Sequence, residues 1–75
     1  MDYSAIILTF NSERFIENCL KQLVSSFNET KNSYEIYVID NGSSDMTLSI
    51  IENTKKEISG NIIIIAFDYN TVYRF

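Results

Sequence analysis

Asp40 and Asp45 stand five residues apart in "YVIDNGSSDMT" (Tyr37–Thr47), with Asn41, Gly42, Ser43 and Ser44 between them. Two carboxylates at that spacing around a tight turn suit either ligand contact or the handover from a strand to a helix. As handover chemistry, Asn41-Gly42 tolerate positive φ, and Ser43 or Ser44 can accept from the free N–H groups of a following helix. Asp45 in the first turn of that helix would gain about 0.3–1 kcal/mol from its dipole. As ligand chemistry, the aspartates need a facing surface, and "LTFN" (Leu8–Asn11) offers one. Phe10 can stack on a planar ring, while Asp40 or Asn41 can pair with ring N–H, carbonyl or ribose hydroxyl groups. An aromatic ring beside carboxylate and amide groups suits a nucleobase.

That chemistry depends on elements that bring the two stretches together. "SAIILT" (Ser4–Thr9) is a short β-branched run and reads as a buried strand. From Ser12 to about Phe27 the period changes: Phe15/Ile16, Cys19/Leu20, Leu23/Val24 and Phe27 recur at helical spacing. Asn11 or Ser12 can cap this helix, and Cys19 in its apolar stripe reads as core. "NETKNS" (Asn28–Ser33) is a polar loop. "YEIYVI" (Tyr34–Ile39) is a second strand ending at Asp40, and a second helix runs from about Asp45 to Ile58, with Leu48, Ile51 and Ile58 on one face. Ser59-Gly60-Asn61 stops it. "IIIIAF" (Ile62–Phe67) is a third strand, apolar on both faces. The order β-α-β-α-β predicts an α/β fold: a Rossmann-like half domain with a three-stranded parallel sheet. In such sheets ligands bind at the carboxyl ends of the strands, which here are Thr9-Phe10-Asn11, Asp40-Asn41-Gly42 and Phe67-Asp68. If both crossovers run the same way, both helices cover one face and the other is bare.

The totals exclude several functions. The 75 residues are 45% hydrophobic and 21% charged, a core-forming composition rather than a disordered one. A net charge of −4 and scattered cations (Arg14, Lys21, Lys31, Lys55, Lys56, Arg74) argue against a nucleic-acid partner. There is no histidine, so imidazole-based triads and metal sites are absent, and the single Cys19 cannot form an internal disulfide. Neither GxGxxG nor GxxxxGK[ST] occurs, which removes the commonest phosphate cradles. The start, "MDYSAIILTFNSERF", has the features of no targeting signal, and the longest apolar run is too short to span a bilayer. A cytoplasmic setting is expected, peripheral to the inner membrane at most.

Taken together, "SAIILTFNSERFIENCLKQLVSS" and "YEIYVIDNGSSDMTLSIIE" closely resemble the opening of family 2 glycosyltransferases of the GT-A fold. The resemblance runs from Ser4 to about Phe67. Its second motif matches at Asp40, Asn41, Gly42, Ser43, Asp45 and Thr47, with Ser44 a conservative change and Met46 in place of the usual glycine. Leu8 stands where proline is usual, and Phe10 where tyrosine is usual. The resemblance implies that the chain is the N-terminal part of a single GT-A domain, ending before the Asp-x-Asp metal motif and the catalytic base. It implies inverting transfer of a sugar from a UDP- or dTDP-sugar donor to a glycan or lipid-linked acceptor hydroxyl, and a divalent cation (Mg or Mn) whose ligands lie beyond position 75. By position, Thr9, Phe10, Asn11, Asp40, Asn41 and Asp45 would bind the nucleotide sugar, with no catalytic residue or metal ligand in the chain. "DYN" (Asp68–Asn70) is a poor substitute for the metal motif. The bare sheet face would meet the rest of the domain or another chain.

Two other readings fit the same elements. A receiver-like signalling module also puts acids at strand ends, though "LTFN" carries no acidic pair. A truncated, non-catalytic copy would act through its exposed sheet face.

Overall fold

The computed structural model describes residues 2–67 and the backbone of 72–74. In chain order the elements are β1 (Tyr3–Thr9), α1 (Ile16–Thr30), β2 (Tyr34–Asn41), α2 (Thr47–Glu57), β3 (Ile62–Phe67) and β4 (Val72–Arg74). β1, β2 and β3 are parallel neighbours in that order, and β4 pairs antiparallel on the far side of β3. The α/β architecture with a three-stranded parallel sheet is as the alternation of periods predicts. The antiparallel β4 is an addition that no pattern in "DYNTVYRF" announces. Asp68, Tyr69 and Asn70 lie outside the described residues.

Strand alternation decides what each face carries, because successive side chains point to opposite sides. On one face, Ile36 and Val38 of β2 and Ile62, Ile64 and Ala66 of β3 are buried. Ile16, Leu20 and Val24 of α1 and Ile51 of α2 close over them into one core, so both helices lie on this face. The opposite face carries apolar rows set by the register. Ile6 lies beside Tyr37 and Tyr37 beside Ile63; Leu8 lies beside Ile39 and Ile39 beside Ile65. Among the described residues no helix covers these rows, and Leu8 is 75% exposed.

At the amino ends of the strands the sheet is closed by aromatics. Phe27 of α1 stacks on Tyr34 with ring centroids 4.8 Å apart and leans against Tyr3 at 6.1 Å. The Tyr34 hydroxyl donates to Asn28 Oδ1 at 3.0 Å, so the tyrosine buries its ring without stranding its polar end.

The helices depart from expectation at their starts. α1 begins at Ile16 rather than Ser12, and neither Asn11 nor Ser12 caps it with a side chain. The Ser12 carbonyl instead accepts the N–H groups of Phe15 and Ile16, each at 3.0 Å, in a tight turn that precedes the helix. α1 continues past Phe27 to Thr30 and ends at Lys31, whose φ of 62° is left-handed. α2 begins at Thr47, so Asp45 precedes the first turn instead of lying within it. Cys19 is exposed, not core. The apolar stripe of α1 is wider than the core can cover: Ile16, Leu20 and Val24 are inward, while Phe15 and Cys19 face an open groove beside β1.

Candidate functional site

Thr9 pairs with Asp40 across β1 and β2, and Asn41 pairs with Phe67 across β2 and β3. These registers place all three strand ends at one edge of the sheet. The two loops that leave it, 10–15 and 42–46, are bonded to each other and to the first residue of α2. Asn11 takes a left-handed φ of 47°, which asparagine tolerates better than most residues. In that conformation its N–H donates to Ser43 Oγ at 2.9 Å, and its Oδ1 accepts the Ser44 N–H at 2.9 Å. The Ser12 N–H donates to Thr47 Oγ1 at 2.7 Å, and Thr47 is fully buried.

Two acids complete this clamp by exchanging bonds between the loops. The Met46 N–H donates to Glu13 Oε2 at 3.3 Å, and the Glu13 N–H donates to Asp45 Oδ2 at 3.4 Å. Asp45 Oδ1 also accepts from the Thr47 N–H at 2.9 Å and from the Thr47 hydroxyl. Asp45 therefore serves one of the free N–H groups at the start of α2 from one position ahead of the N-cap. Ser43 and Ser44, the capping candidates, bond to Asp40 and Asn11 instead. Partial burial pushes the Asp45 carboxyl up, but the bonds from the Thr47 hydroxyl and the N–H groups of Thr47, Glu13 and Asp45 itself outweigh it. They hold the carboxyl below its ordinary 3.8.

Asp40 lies on the helix-covered face and is 2% exposed. Its Oδ1 accepts from the Thr9 hydroxyl at 2.7 Å and from Ser43 Oγ at 2.5 Å, and its Oδ2 accepts from the Ser43 N–H at 3.1 Å. Three bonds satisfy a buried carboxylate that would otherwise be costly. Gly42 lets the chain turn directly after the strand: its φ is +73°, and a Cβ there would sit 3.4 Å from the Phe67 carbonyl oxygen.

Asn41 emerges on the opposite face. With Leu8, Thr9, Phe10, Ile39 and Phe67 it lines an open pocket of about 350 Å³. Phe10 is 61% exposed and Phe67 is 38% exposed. The structure thus gathers all six residues singled out in the sequence at one end, but divides them. Asp40 and Thr9 are buried, with Thr9 also at the wall of the pocket; Asn11 and Asp45 hold the loops together, and Phe10 and Asn41 line the pocket. Phe67 joins this pocket although no motif marked it. Its only signal is that it ends an apolar strand whose neighbour ends at Asn41. Among the described residues no group of three or more acids, cysteines or histidines could hold a metal ion. No described helix is long and apolar enough to cross a membrane.

Comparison with known proteins identifies the kind of protein this site belongs to. A 67-residue match to an uncharacterised glycosyltransferase of Haemophilus influenzae is 36% identical and covers 89% of this chain and 20% of that protein. A poly(ribitol-phosphate) β-glucosyltransferase of Bacillus spizizenii is 38% identical over 66 residues, 85% of this chain and 10% of the relative. A dolichyl N-acetyl-α-D-glucosaminyl phosphate 3-β-D-2,3-diacetamido-2,3-dideoxy-β-D-glucuronosyltransferase of Methanococcus voltae is 41% identical over 56 residues, 72% of this chain and 16% of the relative. The chain therefore spans between a tenth and a fifth of the length of these relatives. No solved structure matches. Residues 4–73 match the family described as glycosyl transferase family 2. With the match spanning both loops of the clamp and all three parallel strands, the chain belongs to glycosyl transferase family 2.

Proposed function

We propose that this chain is the donor-binding part of a glycosyltransferase that moves a sugar from a UDP- or dTDP-sugar to an acceptor hydroxyl with inversion. Thr9, Phe10, Asn11, Asp40, Asn41 and Asp45 make up the end of the sheet that takes the nucleoside half of the donor. The observation that carries this reading is the Thr9–Asp40 pairing, which joins the ends of β1 and β2 into one crevice with an aromatic ring and an amide at its mouth. A pocket of about 350 Å³ is at the small end of the roughly 300–1,000 Å³ of ligand sites, room for a nucleoside rather than a whole nucleotide sugar.

The chain alone binds without turning over. Asp40, Asp45 and Glu13 are each engaged in the hydrogen bonds that hold the loops, so they do not serve as general base or cation ligands. The base, the divalent cation and the acceptor site are assigned to parts of such an enzyme outside these 75 residues. The acceptor is a glycan or a lipid-linked hydroxyl, in keeping with the dolichyl-linked sugar for which one of the relatives is named. Titrating the ¹⁵N-labelled chain with UDP tests the reading. The expected result is saturable shifts confined to residues near 9–11, 40–45 and 67. Absence of saturable shifts with any pyrimidine nucleotide, with and without Mg²⁺ or Mn²⁺, would refute it.

A further inference from the structure

β1 lies at one edge of the sheet, and among the described residues nothing pairs with its outer side. The groups it shows there follow from its inner side. The Tyr3 N–H donates to the Ser33 carbonyl and the Ile36 N–H to the Asn61 carbonyl. The odd-numbered residues of β1 therefore bond to β2, and the N–H and C=O groups of Ser4, Ile6 and Leu8 point out of the sheet. Folded proteins blunt such an edge with lysine, proline or a bulge. β1 has none of these: "YSAIILT" carries no charge, and its register on β2 runs unbroken from Tyr3 to Thr9.

Beside this edge, α1 carries a second seam. Phe15, Cys19, Gln22, Ser26 and Glu29 recur at alternating spacings of four and three, the spacing with which one helix meets another. All but Glu29 line an open groove with Ile7 of β1, and Phe15 is 73% exposed. The ends of this row are oppositely charged: Arg14 lines the groove at the entry of α1, and Glu29 closes the row. Neither belongs to an ion pair among the described residues, where Lys21 takes both Glu17 and Glu57.

We infer that this edge is an interface for a second copy of the chain: two β1 strands pair antiparallel about a two-fold axis at Ile6, and the two α1 helices meet along the row from Phe15 to Glu29. With the axis there, Ile6 stands opposite the partner's Ile6 and Ser4 opposite the partner's Leu8, so every outward group of these residues is bonded. A shift by one residue would set outward groups against inward ones, and a shift by two would leave one of the outward residues without its mate. The same pairing keeps the helices of both copies on one face. α1 runs back along β1, since Phe27 lies against Tyr3 while Arg14 follows the other end of the strand. The axis therefore crosses α1 near its middle and brings each Arg14 toward the partner's Glu29. α1 packs over Ala5 and Ile7 of β1 and over Ile36 and Val38 of β2. With strands about 4.8 Å apart, a helix over that seam lies about 5 Å from the axis, and the two α1 axes lie about 10 Å apart, a packing distance. Such a pair closes on itself and stops at two copies. The pockets at the carboxyl ends lie at opposite ends of the joined sheet, and the inference does not depend on what they bind.

Sedimentation equilibrium of the full 75-residue chain tests this, with amide hydrogen exchange followed by NMR as the second readout. The mass is expected to rise with concentration to twice 8.7 kDa, and exchange to slow at Ser4, Ile6 and Leu8. Association through the bare sheet face would not protect those N–H groups. Ile6→Pro removes an outward N–H where an edge strand accepts proline, and is expected to abolish the dimer with the far-UV CD unchanged. Ile6→Lys sets like charges directly opposite each other and is expected to do the same, which covers the case of a proline variant that does not fold. Arg14→Glu is expected to raise the dimer dissociation constant roughly tenfold, by turning two exposed attractions into repulsions, and adding Glu29→Arg to restore it. A chain that stays monomeric to about 1 mM would overturn the inference and leave the edge to a strand of another polypeptide. A dimer without slowed exchange at Ser4, Ile6 and Leu8, or one that persists in a folded Ile6 variant, would overturn it equally. A double charge variant no tighter than Arg14→Glu would overturn the antiparallel meeting of the helices.

Discussion

Asp45 shows how an acid within a motif can be engaged by neighbouring backbone and hydroxyl groups. Its carboxylate receives bonds from Thr47 and from the Glu13 N–H, and these favour the ionised form. Because its pKa is lowered on folding, the folded state gains from Asp45 above the carboxyl's unfolded pKa of about 4. That gain is lost as pH falls through the lower, folded value. Urea midpoints of the wild-type chain are therefore expected to fall below about pH 4, and Asp45→Asn to flatten part of that fall. An equal decline in wild type and variant would show that Asp45 is not a linked group. The two aspartates that looked like a pair in the sequence thus have separate tasks. Asp40 fastens the end of β1 to the turn after β2, and Asp45 fastens the entry of α1 to the entry of α2.

At the level of elements, the loops after β1 and β2 behave as one unit. Thr47 is its centre: the hydroxyl accepts the Ser12 N–H and donates to Asp45, inside a fully buried side chain. Thr47→Val keeps the volume and removes both bonds. It is expected to cost about 1–3 kcal/mol in chemical denaturation, most of it from stranding the Ser12 N–H. A loss below the detection limit would mean that water replaces the hydroxyl and that the loops are not coupled. The existence, type and order of β1, α1, β2, α2 and β3 were legible from period alone, because each must bury an apolar stripe or face. The helix starts were not. Asn11, Ser12, Ser43 and Ser44 are capping residue types, but their side chains and backbone are claimed by the neighbouring loop. Cys19 misled for a related reason: its place in a helical stripe says it is apolar-compatible, not which of two sides of α1 the sheet will cover.

For the molecule as a whole, the two faces of the sheet differ in kind. One is sealed by α1 and α2; the other shows Ile6, Leu8, Tyr37, Ile39, Ile63 and Ile65 in register, with the pocket at one end. Contiguous apolar patches on monomers commonly mark interaction surfaces. The matched stretch makes up only a tenth to a fifth of the relatives' own length. The chain alone is expected to bind a hydrophobic dye such as ANS and to self-associate as concentration rises. Leu8→Glu should suppress both while changing stability by no more than about 0.5 kcal/mol, because Leu8 is exposed in the folded chain. A wild-type chain that stays monomeric and dye-free would show that this face needs no partner.

By itself the sequence determined the α/β class, the order of the elements, the strand ends as the place for chemistry, and the glycosyltransferase resemblance. Each of these is carried by hydrophobic period or by motif spacing, which are local properties of the chain. The tertiary structure alone decided that Asp40 is turned inward and Asn41 outward, that Phe67 completes the pocket, and that the capping residues bond between loops. Those outcomes depend on which face of the sheet the helices cover and on the register of β1 on β2 and of β2 on β3. Neither can be read from one strand, because an alternating strand is equally compatible with burial on either side until its neighbours are in place.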